Sequence, residues 1–241
     1  FKNFEKNQNW GAIAIHGLKT EGSIFKNIII ENASGKSING INYFASLSVH
    51  STKNIKFDNI LIRNNAKFDD MMHIIYSDDI QILNSNFLNA YADSIDVDIS
   101  NNILLRNINI TNSGNDGIDL MESNADLENV NISLSGDKGV SIGENSLVKI
   151  KDSVIKMNKF GVASKDLSKV IIKNSLIKNN NIQLSVYQKN WRYGGSGIID
   201  IKNSTLSALK NNINSDDKGK ISISSSNING SINKTDNVTI N

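Results

Sequence analysis

The chain has 241 residues, with 26 Lys+Arg against 24 Asp+Glu, three histidines, no cysteine and no proline. A formal charge of +2 excludes a nucleic-acid binder that works by bulk electrostatics, and the lack of cysteine excludes a disulfide scaffold or a thiolate metal centre. No apolar run approaches the roughly 18 residues of a membrane span.

The bias lies in 39 asparagines and 38 isoleucines. Asn favours turns and β-branched Ile favours strands, so a chain rich in both alternates short strands with tight turns. The first residues, Phe1-Lys2-Asn3-Phe4, are no signal peptide. From Phe25 onward one phrase recurs, apolar–any–Asn–any–any–apolar. Its third position reads Asn27, Asn59, Asn84, Asn107, Asn129, Asp152, Asn174, Asn203 and Ser225. Successive steps are 32, 25, 23, 22, 23, 22, 29 and 22 residues, a period of 22–23 with insertions, which is the mark of a solenoid. The segments between strands are too short and polar for helices. Each coil is therefore strands and turns only, stacked about 4.8 Å apart, and roughly nine coils form a parallel β-helix with the Asn column inside one bend.

The flanking columns are apolar, from Phe25, Phe57, Ile82 and Leu105 to Ile223 on one side and from Ile30, Ile62, Phe87 and Ile110 to Ile228 on the other. Alternation by two predicts strands with one face inward. The coils are expected over residues 11–230 of a single domain spanning 1–241. With no capping helix at the start and a strand-like end, the pattern predicts a piece of a longer protein with flanking modules.

A further strand per coil carries the polar chemistry. Its outward column reads Ser48, His73, Asp96, Asp119, Ser141, Ala163 and Gln183, and a second includes His50, Asp98 and Gly143, with His16 beside His50. All three histidines thus project from one face. The preceding turn adds Asp70, Asp93 and Asp116, with Lys138 in the same place one coil on. Stacked carboxylates repel, so a cation, a shared proton or a basic side chain has to offset them. Hard carboxylates at Asp93, Asp96, Asp98, Asp116 and Asp119 suit calcium. His73 is the expected base and Lys138 a base or charge stabiliser, with Asp96 and Asp119 completing the catalytic set. The competing expectation is a solvated acidic stripe. Tyr76, Tyr91 and His50 border the patch, and the insertion holding Trp191, Arg192 and Tyr193 offers rings and a guanidinium to a bound substrate.

The Asn ladder in its apolar–x–apolar–x–Asn–x–x–apolar coil resembles the right-handed parallel β-helix of the pectate-lyase-like superfamily. So do the segments Gly136-Asp137-Lys138-Gly139-Val140-Ser141-Ile142-Gly143-Glu144-Asn145 and Lys189-Asn190-Trp191-Arg192-Tyr193-Gly194-Gly195, which look like β-helix repeat signatures. The resemblance implies a secreted or cell-surface protein with a polysaccharide partner and a cleft along the same strand. Polygalacturonase-like hydrolysis is not implied, since Asn115-Asp116-Gly117 and Gly136-Asp137-Lys138 only partly echo its motifs and Lys159-Phe160-Gly161 stands where its histidine would be. A lyase or epimerase acting on an acidic polysaccharide fits better. The alternative is a non-catalytic adhesin, tailspike-like or glycan-binding rod.

Overall fold

The computed structural model describes residues 1–3, 8–66, 69–232 and 236–241. Alternating Ile, Val and Leu drive strands wherever the period places them, and every coil adds its strands in parallel to the coil before. One sheet, here the site sheet, stacks nine strands: Ile13–His16, Leu47–His50, Met72–Ile75, Ile95–Asp98, Ile118–Met121, Lys138–Gly143, Phe160–Lys165, Ile182–Tyr187 and Asn211–Ser215. A second sheet wraps the other two sides. Its early strands, such as Ile103–Ser113, run unbroken through the bend at the Asn column, and its later ones split there, as in Leu147–Lys151 and Val154–Lys156. The result is a right-handed parallel β-helix of about eight turns, close to the nine coils expected.

The core fills the inside of the rod with the predicted columns. Phe57, Ile82, Leu105, Leu127, Val148, Ile150, Ile172 and Ile199 are at most 1% exposed, as are Ile62, Phe87, Ile110, Ile132, Ile155 and Ile177. Burying each of these side chains contributes on the order of 1.5–3 kcal/mol. That burial, rather than local propensity, is what the repeat supplies.

The Asn column exists but stands outside the rod, which corrects the expectation of an internal ladder. Asn27, Asn59, Asn84, Asn107, Asn129, Asn174 and Asn203 are exposed, and all have φ between 51° and 58°. The bend needs a left-handed residue, and Asn is the side chain that tolerates one best after glycine. The amides still form a ladder: Asn59 Nδ2 donates to Asn27 Oδ1 at 2.8 Å, Asn107 to Asn84 at 2.8 Å and Asn129 to Asn107 at 2.9 Å. The residue inside the bend is the next one. There Ser85, Ser153, Ser175 and Ser204 accept backbone N–H bonds from Ile60, Val130, Ser153 and Ser175 of the preceding coils.

Two insertions leave this regular frame. Lys36–Ile38 and Ile41–Tyr43 form an antiparallel hairpin turned at Asn39-Gly40, both at positive φ, the conformation that Asn-Gly hairpin turns require. The insertion after Tyr187 contains a 3-10 turn at Trp191–Tyr193, capped by the Asn190 side chain accepting from the Arg192 N–H at 3.1 Å.

Candidate functional site: an acid and histidine face

The register brings the predicted outward residues together. Ser48 pairs with His73, His73 with Asp96, Asp96 with Asp119 and Asp119 with Ser141 across successive strands. His16 pairs with His50, and Asp98 stands one strand beyond Ile75 in that same column. One position shifts: Ser185, not Gln183, follows Ala163. Gln183 is buried and donates to the Asn180 carbonyl.

The histidines form a chain of rings. His16 and His50 are 6.0 Å apart, His50 and His73 lie 5.3 Å apart edge to face, and Tyr43 of the hairpin sits 4.9 Å from His50. Burial and the two neighbouring imidazoles push His50 down to about 4, so it is neutral at physiological pH. His73 is 6% exposed, its Nδ1 is buried without a partner, and its Nε2 faces Asp98 Oδ2 at 3.3 Å and Asp96 Oδ2 at 3.8 Å. Any proton that His73 exchanges with a ligand therefore passes through Nε2.

The acids divide into two kinds. Two in the turn are tied to the next coil: Asp93 Oδ1 accepts from Asp116 N at 2.6 Å and from Asn115 Nδ2 at 2.8 Å, and Asp116 Oδ1 accepts from Lys138 N at 2.8 Å. The third, Asp70, is buried with its Oδ1 unpartnered. Those on the strands, Asp96, Asp98 and Asp119, are partly open. Burial, then repulsion from the neighbouring carboxylates, raises Asp70 and Asp96 far above the ordinary carboxylate range. Burial raises Asp93 to about 7 even though its hydrogen bonds pull the other way.

Two lysines answer the negative charge downstream. Burial alone would lower the Lys138 pKa, but Asp116 and Asp137 more than reverse this and hold it charged; its Nζ is 2.5 Å from Asp137 and 3.5 Å from Asp116. Lys165, which the sequence reading passed over, is 2% exposed; its Nζ donates to Ser141 Oγ at 2.7 Å and faces Asp119 Oδ1 at 3.8 Å. Gly143 makes its path, since a Cβ there would stand 3.1 Å from Lys165 Cε. The legible signal was a lysine at the end of the Val162-Ala163-Ser164-Lys165 strand, one coil from a glycine. Tyr187, in register with Lys165, has its hydroxyl pKa raised by burial against the pull of Lys138.

The aromatic residues lie at the rims. Tyr76 and Tyr91, on the turns after and before the strands, are 58% and 61% exposed. Trp191 is 79% exposed with Arg192 6.0 Å from its ring, and Tyr193 reaches back to donate its hydroxyl to Glu122 Oε1 at 2.5 Å. That bond pins the insertion beside the turn that follows Asp119.

Among the described residues, the donor atoms that gather within 4.8 Å of one another belong to His73, Asp96 and Asp98. Asp93 and Asp116 are engaged with backbone N–H groups and Asp119 faces Lys165, so the five aspartates expected for calcium do not converge. An imidazole and two carboxylates fall short of the six to eight oxygens that calcium takes.

Residues 45–229 match the family model described as right handed beta helix region. No curated protein matches. Among solved structures, the chain is similar to an alginate lyase from Paenibacillus sp. str. FPU-7, with 10% identity, 90% of this chain and 99% of that chain covered and a TM-score of 0.53. It is also similar to the periplasmic alginate epimerase AlgG (11% identity, 91% and 68% covered, TM-score 0.61) and to the enzymatically active domain of bacteriophage CBA120 tailspike protein 2 (12% identity, 97% and 44% covered, TM-score 0.62). At these identities the likeness is one of fold alone. No helix among the described residues is long and apolar enough to cross a membrane. The chain belongs to the right-handed β-helix family.

Proposed function

We propose that the protein is a secreted or cell-surface enzyme acting on an acidic polysaccharide, removing the proton beside a uronate carboxylate as a lyase or epimerase does. The observation that carries this reading is the placement of His73 Nε2 beside the partly open Asp96 and Asp98, with the Lys138 and Lys165 ammonium groups held by Asp116, Asp137 and Asp119 further along the same face. A base for carbon acids has to be unprotonated at work, while the charge that develops on the substrate carboxylate needs donors and cations.

In this scheme the raised Asp96 carboxyl keeps its proton, and the substrate takes the place of Asp98 at His73 Nε2. Nε2 takes the C5 proton. The C5 electron pair moves into the substrate carboxylate, where the Asp96 proton and the Lys165 ammonium stabilise it. Return of a proton from water to the opposite face gives the epimer; expulsion of the O4 substituent, which takes up the proton now on His73 Nε2, gives the unsaturated lyase product. Tyr76, Tyr91, Trp191 and Arg192 supply exposed rings and a guanidinium around the floor, suited to sugar faces and further carboxylates.

The test is a screen of uronate polymers for new absorbance near the ultraviolet edge and for changed epimer ratio, with wild type and His73→Ala. Product from wild type and none from the variant is the expected result; equal product from both overturns the assignment. The rival reading, a non-catalytic glycan-binding rod, draws on the same exposed tyrosines and tryptophan and predicts binding without product.

A further inference from the structure

Outward positions of the site sheet are not equally open. In the Leu47–His50 strand every residue is buried: Ser48 is 0% exposed and His50 7%. The Asn39-Gly40 hairpin lies over this end, its Tyr43 ring 4.9 Å from His50 and its hydroxyl 3.1 Å from His16 Nδ1. On the far side Ser141, Ala163 and Ser185 are also fully buried, and the Lys165 side chain runs across to Ser141. Between them, only the strands Ile95–Asp98 and Ile118–Met121 alternate buried and partly open along their whole length, presenting Asp96, Asp98, Asp119 and Met121.

The open floor is thus two strands wide, about 10 Å with its margins, and shut at one end by Tyr43 over His50. A long glycan laid along the rod would collide with that wall one strand beyond His73. We infer that this site takes the end of an acidic glycan chain rather than its interior. The inference rests on the functional reading above for the class of ligand and adds which part of the chain is recognised. The hairpin, an insertion of the 32-residue coil, is then a specificity element, and Tyr43 a positioning residue that closes the site.

The test compares binding of oligomers and parent polymers of mannuronate, guluronate and galacturonate by calorimetry, at equal uronate mass. If chain ends are the ligand, shortening the chains about tenfold raises the apparent affinity per unit mass about tenfold. Affinity per unit mass that ignores chain length overturns the inference while leaving the functional reading intact. Absence of binding by every uronate glycan overturns the functional reading itself, and the inference with it. A Tyr43→Ala variant with an unchanged melting curve should bind internal segments, so its length dependence should fall below about twofold. A folded Tyr43→Ala protein that keeps the full dependence overturns the role given to the wall.

Discussion

The back of the solenoid and its site face stack charged residues in the same parallel register but in different surroundings. On the back, many charges meet a complement one coil away: Lys26 faces Asp58, Arg63 faces Glu31, Arg106 meets Glu128 at 2.6 Å, Lys149 faces Asp126 and Lys169 faces Asp200. Others stack on their own kind, as Lys151, Lys173 and Lys202 do, but these lysines are exposed. On the site face Asp96 stacks on Asp119 and Asp93 on Asp116. Opposite charges across strands stabilise a sheet a little and like charges destabilise it. Water screens the exposed lysines of the back, whereas the acids of the site face are partly or wholly buried, where the same repulsion costs more.

Several substitutions would break or sharpen that contrast. The largest effect is expected for Lys165→Met, which leaves Asp119 facing no cation in a half-closed site and should cost about 2–3 kcal/mol in a denaturant melt; adding Asp119→Asn should restore most of it. If Lys165→Met alone is neutral, the lysine is not balancing the acids.

Asp96→Asn comes next, with the opposite sign. A carboxyl whose folded pKa is raised binds more protons folded than unfolded. Its contribution is fully present below the ordinary value of 3.8 and is lost as pH rises through the folded pKa, about 7 for Asp93 and higher for Asp96. The asparagine variant should be more stable than wild type by about 1–2 kcal/mol at pH 8 and no different near pH 4. Wild type should likewise soften from pH 7 to pH 9. His50 works the other way, losing its contribution as pH falls from 6.5 toward about 4. A variant no more stable at pH 8 would mean that Asp96 is ordinarily ionised.

Asn107→Ala should cost about 1 kcal/mol, because alanine fits the φ of 58° poorly and two ladder bonds are lost. Asn107→Gly should recover part of that loss in the same thermal melt. The smallest change is expected on the back face, where Arg106→Ala should shift stability by no more than about 0.5 kcal/mol, less still in high salt.

Much of the architecture was legible because a β-helix repeats its needs. The apolar columns at Phe57, Ile82 and Leu105 and the polar column at His73, Asp96 and Asp119 return at the period read from the chain. The inside of the bend was not legible. An amide ladder within the rod and a left-handed residue outside it both select Asn, and only the serines that follow, Ser85, Ser153 and Ser175, tell which is the case. Lys165 was hidden for a different reason: its length lets it reach Ser141 and Asp119 in earlier coils, so its place in the repeat does not reveal its partners. The wall at Tyr43 belongs to an insertion, where periodicity carries no information, although Asn39-Gly40 marks a hairpin.

The most direct measurement is solvent exchange at the substrate carbon. Alginate and polygalacturonate would be incubated in D2O with wild-type protein, His73→Ala or Asp96→Asn and followed by proton NMR. The account predicts that wild type places deuterium at C5 or forms the unsaturated product, that His73→Ala does neither, and that Asp96→Asn keeps part of the activity because its amide still donates. Bound polymer with no exchange and no elimination by the wild-type protein would contradict it.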